Sequence, residues 1–364
     1  MATLKHDWTT KEIQAIHDLP LLELIYKASQ VHQEHQEIGE VQISTLLSIK
    51  TGGCPEDCGY CPQAARYHTD IEKNDLMSLD AVKGAAKRAK DNGSSRLCMG
   101  AAWRDVKDNA EFDQVLDMVK AVYGEGLEVC CTLGMLSESQ AKKLANAGLY
   151  AYNHNLDSSE EYYEEVISTR GYGDRLKTLE NVRKANLTVC SGGIIGMGEE
   201  VKDRCGMLKT LATLNPHPES VPINGLVAIE GTPLEEQKPV PIWDMVRMIA
   251  TTRIVLPNTV VRLSAGRTEM TDEGQALCFM AGAGSIFSGD KLLTTPNPGE
   301  NADAKLFEVL GLNAKKAYKK GDKPVISDEI VNDSPREKWS RPGHEIEANK
   351  EAASKAKLER ATQN

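Results

Sequence analysis

The sequence predicts an α/β chain closed into a TIM-type (β/α)8 barrel, and three observations carry that reading. From residue 41 onward, short apolar or β-branched runs alternate with amphipathic stretches roughly every 30–40 residues. Eight such runs can be counted, the number that closes a barrel of this kind. A doubly wound sheet is the alternative, but its first loop more usually carries a GxGxxG phosphate turn, and here the first loop carries cysteines.

The elements follow in order. Residues 8–36 read as helices, with Leu21, Leu22, Leu24, Ile25 and Ala28 on a helical period after Asp18-Leu19-Pro20. They suit an N-terminal helical extension over residues 1–40, most simply a structural one. The strand runs are 41–50, 95–102, 127–133, 149–156, 187–195, 220–229, 259–265 and 283–288. Helical stretches lie between them at 79–92, 110–123, 137–147, 173–185, 200–214, 242–256 and 271–281. Ser78 starts one of these helices and the Ser137/Gln140 pair forms a capping box for another. Gly93, Gly126 and Gly148 follow helices, as C-terminal caps prefer. The barrel domain is expected over 41–313, with residues 290–313 a polar, proline-containing segment after the last strand. Residues 314–364 are rich in lysine, glutamate and alanine. They read as a flexible or weakly helical tail without chemistry.

Composition bounds the function. The chain has 364 residues, 40% hydrophobic and 26% charged, which is ordinary for a water-soluble protein large enough to bury a sizeable core. A net charge of −10 argues against nucleic acid or an anionic membrane as the main partner. No apolar run reaches the ~18 residues of a membrane span, and the first residues lack the apolar core of a signal peptide, so a cytoplasmic location is expected. Nine cysteines are too few for a disulfide scaffold and odd in number; gathered into motifs, they read as metal-binding or catalytic.

The strongest motif is Gly52 to Pro62, where Cys54, Cys58 and Cys61 stand at C-x3-C-x2-C spacing in a turn of glycine and proline after the first strand run. Three thiolates from one loop suit a soft metal centre. A structural zinc takes four protein ligands, whereas a [4Fe–4S] cluster held by three cysteines leaves one iron open to bind and activate a substrate.

Active residues of a barrel sit late on strands and in the loops after them. Those positions offer Cys98, Cys130-Cys131, Asn153, Asn155, Asp157, Cys190 and Arg262, then Ser264 and Arg267. Asn153, Asn155 and Asp157 share one strand parity and would line one face. Glu128, Cys130 and Thr132 form the polar set of their strand; Val129, Cys131 and Leu133 form the apolar one. The outer face of a barrel strand packs on helices, so Cys130 is expected inward and Cys131 in the core. Any one of Cys98, Cys130 or Cys190 alone reads best as a small buried hydrophobe; together with Arg262 they could hold a second cluster inside the barrel. Cys205 and Cys278 read as core. Gly192 to Glu199 is glycine-rich and fits either a tight turn or a close ligand approach. Arg170 and Arg175 flank a Gly-Tyr-Gly turn, where solvated helix-start charges are the default.

The cysteine triplet resembles the signature of the radical S-adenosylmethionine (SAM) enzymes. More narrowly, CMGAAW from Cys98, YNHNLD from Tyr152, VCSGG from Val189, VPIN from Val221 and VRLSAGR from Val261 resemble the biotin synthases, in order, from about residue 10 to about 313. The resemblance implies that Cys54, Cys58 and Cys61 hold a [4Fe–4S] cluster whose open iron chelates SAM. Reductive cleavage would then give methionine and a 5′-deoxyadenosyl radical. That radical would take hydrogen from C9 and C6 of dethiobiotin, and sulfur would be inserted between them, completing biotin biosynthesis. It further implies that Cys98, Cys130, Cys190 and Arg262 hold a [2Fe–2S] cluster that donates the sulfur. Asn155, Asp157 and Arg175 would face SAM, and Asn153 and Asn224 the substrate. A flavodoxin- or ferredoxin-type electron donor and a homodimer are implied as well. The doubled Cys130-Cys131 is a departure from the pattern. Two other readings compete. One is a related radical SAM barrel, such as a hydrogenase-cofactor maturase or a lysine mutase of the pyrrolysine pathway, which would not be expected to keep Cys98, Cys130, Cys190 and Arg262 together. The other is a non-catalytic iron–sulfur or zinc protein.

Overall fold

The computed structural model describes residues 4–333 together with Glu337 and Trp339. Two helices come first, α1 (Thr10–His17) and α2 (Leu21–His35). Thr9 and Glu12 form the capping box that starts α1. The barrel strands are β1 (Glu40–Lys50), β2 (Arg96–Ala101), β3 (Glu128–Thr132), β4 (Ala151–Asn153), β5 (Thr188–Cys190), β6 (Gly193–Ile195), β7 (Ser220–Gly225), β8 (Val260–Leu263) and β9 (Ala283–Phe287). Between and after them run α3 (Leu79–Asp91), α4 (Ala110–Gly124), α5 (Glu138–Asn146), α6 (Glu160–Val166), α7 (Tyr172–Lys184), α8 (Val201–Thr213), α9 (Ile242–Val255) and α10 (Asp272–Met280). A short 3-10 turn at Arg267–Glu269 before α10, a hairpin, β10 (Lys291–Leu292) and β11 (Thr295–Pro296), then α11 (Glu300–Leu310) and β12 (Asn313–Ala314), complete the described elements.

The sheet runs β1-β2-β3-β4-β5-β7-β8-β9 with every pairing parallel, and β9 returns to β1. The sheet is therefore a closed α/β barrel, as the count of strand runs predicts. The main apolar core lies between the strands and their helices and includes Leu97, Met99, Val129, Cys131, Val221 and Val261. These residues alternate with the inward set, as strand geometry requires. Ser78 and Ser137 cap α3 and α5 as expected, and Gly93, Gly126 and Gly148 take the left-handed backbone that ends a helix. Cys205 and Cys278 are buried on α8 and α10 as core residues.

Several elements differ from expectation. The run 149–156 is a strand only over Ala151–Asn153. The run 187–195 splits into β5 and β6 at Ser191-Gly192, because Gly192 presses on the Pro222 carbonyl: a Cβ there would lie 2.0 Å from that oxygen. Helices α6 and α11 have no counterpart in the sequence reading. α11 is fixed by burial of Leu306 and Phe307 and by an ion pair between Asp303 and Arg267.

The expectation of a free tail from residue 314 falls partly outside the described residues; the described part is docked. β12 pairs with the start of β1. Tyr318 donates its N–H to Glu128 at 3.0 Å and its hydroxyl to the Leu127 carbonyl at 2.6 Å. Tyr150 donates to Asp322 at 2.6 Å, and Lys143 pairs with Asp333 at 2.6 Å. This strap crosses the N-terminal ends of β1 and β3, the end opposite the cysteine loop. The backbone N–H groups of Lys315 and Tyr318 are satisfied there by β1 and Glu128, which the lysine-rich composition does not foretell.

Candidate active site

β1 ends at Lys50 and the chain turns at Gly52 and Gly53, whose φ angles are 73° and 71°. Left-handed backbone at two successive residues favours glycine. The turn delivers a compact loop. The Cys54 N–H donates to the Gln63 carbonyl at 2.9 Å, Ala65 donates back to the Cys54 carbonyl at 2.7 Å, and Cys61 donates to the Cys58 carbonyl at 2.9 Å. Two carboxylates between the cysteines clamp this loop to the segment before α7. Asp57 accepts N–H groups of Ser168 at 2.8 Å and Thr169 at 3.1 Å, and the Ser168 hydroxyl. Glu56 accepts from Arg104 at 2.9 Å and from the Thr169 hydroxyl. Burial works against the charge of Asp57, but the bonds from Ser168 and Thr169 prevail and hold its carboxyl below the ordinary value.

The thiols of the loop behave oppositely. Burial pushes Cys54 up to about 11 and Cys61 up to about 12, and raises Cys58 as well. Such thiols stay protonated on their own and ionise when a metal cation offsets the charge. Arg170 lies against them, with a guanidinium nitrogen 3.8 Å from the Cys58 sulfur. Its Nε is buried and has no partner among the described residues. The expectation of solvated charges at Arg170 and Arg175 is thus corrected: both are buried. Arg175 pairs with Asp157 and donates to the Tyr163 hydroxyl at 2.7 Å.

A polar row leads inward from the loop. Asn153 ends β4, Asn155 follows in the loop, and Asp157 adopts a φ of 67°. Strand parity therefore does not extend to Asp157 as expected, yet all three residues line the same cavity. Asn153 donates to the Asn155 side-chain oxygen at 3.0 Å and to the Cys190 sulfur at 3.3 Å. Asp157 accepts from Tyr60 at 2.7 Å, and Tyr60 belongs to the cysteine loop. One chain of hydrogen bonds thus links the loop to the barrel wall. On β7, Asn224 donates to the Gly193 carbonyl at 3.0 Å and accepts from the Ala265 N–H at 3.2 Å.

The second set of soft residues lies on the strands. Cys98 and Cys130 are register neighbours on β2 and β3, and Cys190 stands beside Asn153 across β4 and β5. Cys98 and Cys130 form a small cluster with Ala151 and Phe287, separate from the main core that contains Cys131. Cys130 is inward and Cys131 outward, as the alternation of polar and apolar residues on β3 predicts. The hydrogen bond with Cys130 draws the Cys98 thiol down to about 7 against burial, helped by Arg262 and Arg96, while the same bond raises Cys130. Arg262 is buried, donates to Ser285 at 3.0 Å and Ser44 at 3.3 Å, and stacks 4.4 Å above the Phe287 ring. The buried hydroxyls of Ser191 and Ser220, next to Cys190 in sequence and in register, have no partner among the described residues.

A cavity of about 330 Å³ joins the two sets. Cys54, Cys58 and Cys61 border it on one side, Cys98 and Arg262 on the other, and Asn153, Asn155, Asp157, Arg175 and Asn224 between. Cys130 and Cys190 do not border it; they lie behind Cys98 and Asn153. The β10–β11 hairpin roofs the cavity, with Leu293 packed so closely on Gly100 that a Cβ there would lie 3.0 Å from it. The sequence reading missed this roof, Tyr60 and the Glu56/Asp57 clamp. Two acids inside a glycine- and proline-rich loop were the one signal for the clamp.

The donors suit iron–sulfur clusters. All nine cysteines are free thiols. Among the described residues no three His, Cys, Asp or Glu side chains stand close enough to share one metal ion; cysteines that hold a cluster bind one iron each rather than a shared ion. The unpartnered Arg170 Nε beside Cys58 and the unpartnered serines beside Cys190 are buried polar groups of the kind that a bound anionic group would satisfy.

Comparison with known proteins agrees. Residues 48–211 match the radical SAM superfamily, and residues 222–313 match the biotin and thiamin synthesis associated domain. The structure is similar to methylornithine synthase (TM-score 0.72, 17% identity, 85% of this chain and 94% of that one) and to a maturase of the [FeFe]-hydrogenase (TM-score 0.73, 18% identity, 86% and 74%). Those likenesses concern the fold. In sequence, the chain is 66% identical to the biotin synthase of Christiangramia forsetii over 97% of its own length and 99% of the relative's. It is 64% identical to that of Flavobacterium johnsoniae over 98% and 99%, and 59% identical to the mitochondrial biotin synthase of Arabidopsis thaliana over 85% and 82%. With this identity along nearly its whole length, and with the cysteine loop, Cys98 and Arg262 on one cavity, the chain belongs to the biotin synthase family of the radical SAM superfamily.

Proposed function

We infer that the chain forms biotin by inserting sulfur between C6 and C9 of dethiobiotin, acting as a radical SAM sulfurtransferase. The observation that carries this reading is the single cavity bordered by the cysteine loop at one side and by Cys98 and Arg262 at the other. Its volume falls at the lower end of the range for small-molecule sites.

In this reading, Cys54, Cys58 and Cys61 hold a [4Fe–4S] cluster that binds SAM, and Cys98, Cys130, Cys190 and Arg262 hold a [2Fe–2S] cluster. When bound, these groups supply a primary carbon radical and the inserted sulfur. The residues of the chain do the rest. Asn155, Asp157 and Arg175 are assigned to SAM. Asp157 is preset for that task, because Tyr60 and Arg175 fix its carboxylate before any ligand arrives. Asn153 and Asn224 are assigned to the ureido ring of the substrate, whose carbonyl and N–H groups match side-chain amides. Leu292, Leu293 and the closed barrel wall surround the cavity and limit its contact with water. A radical generated there meets only the C–H bonds held beside it.

The proposal takes residues 41–313 as the catalytic unit, a flavodoxin- or ferredoxin-type electron carrier, a homodimer and a cytoplasmic setting. Among the described residues no helix is long and apolar enough to cross a membrane. The test is anaerobic reconstitution with iron and sulfide, followed by SAM, a reductant and dethiobiotin. Biotin, methionine and 5′-deoxyadenosine are expected; a reconstituted protein that makes neither biotin nor 5′-deoxyadenosine overturns the reading.

A further inference from the structure

We propose that Arg96, oriented by Glu128, is a positioning residue beneath the inner cysteine set, a fixed cation that sets the charge balance of the centre bound there. The inference rests on the assignment of Cys98, Cys130 and Cys190 to an iron–sulfur centre.

The geometry follows from register. Arg96 lies two residues before Cys98 on β2, and Glu128 two before Cys130 on β3. Arg96 pairs with Glu128 in register, and Cys98 pairs with Cys130. Residues two apart on a strand share a face, so the ion pair forms the layer directly below the two thiols, inside the barrel. Both side chains are buried, at 6% and 4% exposure. The guanidinium donates twice to one Glu128 oxygen, at 2.9 and 2.7 Å. Gln42 donates to that same oxygen at 2.9 Å, and the Tyr318 N–H of the strap donates to the other at 3.0 Å. The guanidinium also stacks 5.3 Å from the Tyr150 ring. Burial opposes its charge, and the groups that sustain it are, in order, Glu128, Cys130, Cys98 and Cys190. By register, the cation and its one carboxylate lie in the layer next to Cys98 and Cys130.

A buried ion pair alone is weak ground for stability, since a hydrophobic pair of similar volume often does as well. This pair sits where a charge is needed. Three thiolates outweigh the charge of an oxidised [2Fe–2S] core by one, and reduction adds a second negative charge inside a closed barrel. Arg262 borders the centre from β8; Arg96 supplies a cation from below. Glu128 tempers that cation and fixes its direction through bonds from β1 and the strap. Outer groups that orient and balance a metal site typically change its affinity by about 10–100-fold when removed.

The test uses the full chain, reconstituted anaerobically, with three variants: R96Q, R96K and E128Q. Two quantities are read besides activity, the midpoint potential of the inner centre by spectroelectrochemistry and its half-time of loss to a chelator. R96Q is expected to lower the potential and to shorten the half-time by about tenfold or more. R96K, which keeps the charge, is expected to stay near the unmodified chain in potential. E128Q, which removes the tempering carboxylate, is expected to raise the potential. The outer cluster's absorbance serves as the internal control and is expected to stay unchanged in all three. Shifts of the same sign in R96Q and E128Q, or no shift in either, would mean that the pair only fills space and would overturn the proposal. If R96Q fails to fold, R96K and E128Q decide the sign alone. If the unmodified chain takes up no inner centre at all, the functional reading fails and this inference falls with it.

Discussion

The two cysteine sets, the outer bordering the cavity with all three thiols and the inner through Cys98, are built in opposite ways. The outer set sits outside regular structure, on a loop turned by Gly52 and Gly53 and tied down by Glu56 and Asp57. Cys54 and Cys61 are partly exposed there. The inner set sits on β2, β3 and β5, fully buried, with strand hydrogen bonds fixing each position. Outer thiols are raised by burial, whereas Cys98 inside is drawn down by its partner Cys130. A site that must bind and release a substrate at an open metal needs access and an adjustable mount. A site whose atoms are consumed into a product needs fixed placement and a supply of balancing charge. On the proposed function, the loop would meet the first requirement and the barrel wall the second.

The largest effect expected is at the outer set. Cys58→Ala removes the cysteine that contacts Arg170, and both 5′-deoxyadenosine and biotin are expected to drop to background in an anaerobic assay. Retained 5′-deoxyadenosine would break the assignment of the loop as the radical-generating half.

Next in size is a comparison of two glycines. At Gly192 a Cβ would lie 2.0 Å from the Pro222 carbonyl, a backbone atom of the inner wall. Gly192→Ala meets a backbone atom that cannot move aside, so it is expected to cost about 3 kcal/mol, the upper end for overpacking, and to lower biotin formation. At Gly53 the obstacle is the flexible Lys73 side chain at 2.9 Å, plus a φ of 71°. Gly53→Ala is expected to cost about 1–2 kcal/mol of backbone strain. Denaturant unfolding of the cluster-free proteins measures both; equal costs for the two variants would weaken the contrast between a rigid wall and an adjustable loop.

Asp57 sharpens the picture of the mount. Asp57→Asn gives up charge-assisted bonds worth about 2 kcal/mol and is expected to hasten loss of the outer cluster while sparing the inner one. Because its carboxyl is held below the ordinary value, its stabilisation is complete above the unfolded-state value of about 3.9. It is lost as pH falls through the lower folded-state value. Melting curves of the cluster-free chain below pH 5 should therefore fall more steeply with acid in the unmodified protein than in Asp57→Asn. Parallel curves would remove the clamp from the account.

These contrasts also explain what the sequence revealed and what it hid. The spacing of Cys54, Cys58 and Cys61 is local, so the motif was legible residue by residue. The barrel was legible because eight runs repeat with helices between them. Cys130 rather than Cys131 was legible because Val129 and Leu133 mark the outer face of β3. The row from Asn153 to Asp157 was found, but for a partly wrong reason: the strand ends at Asn153 and a left-handed turn places Asp157. Arg175 was named through the family resemblance, while the burial of Arg170 and the Glu56/Asp57 clamp were hidden because their partners lie far away in sequence, such as Cys58 for Arg170 and Ser168 for Asp57. The docked strap was hidden because its partners, such as Glu128 and Leu127 for Tyr318 and Tyr150 for Asp322, lie more than 170 residues away in sequence.

The central claim, that the two sets divide the reaction between them, is tested most directly by one single-turnover measurement on Cys190→Ala. The variant is reconstituted anaerobically, and 5′-deoxyadenosine and biotin are quantified together. An intact outer-cluster spectrum with 5′-deoxyadenosine formed and biotin absent is the predicted result. Biotin formed at the level of the unmodified chain would contradict the division.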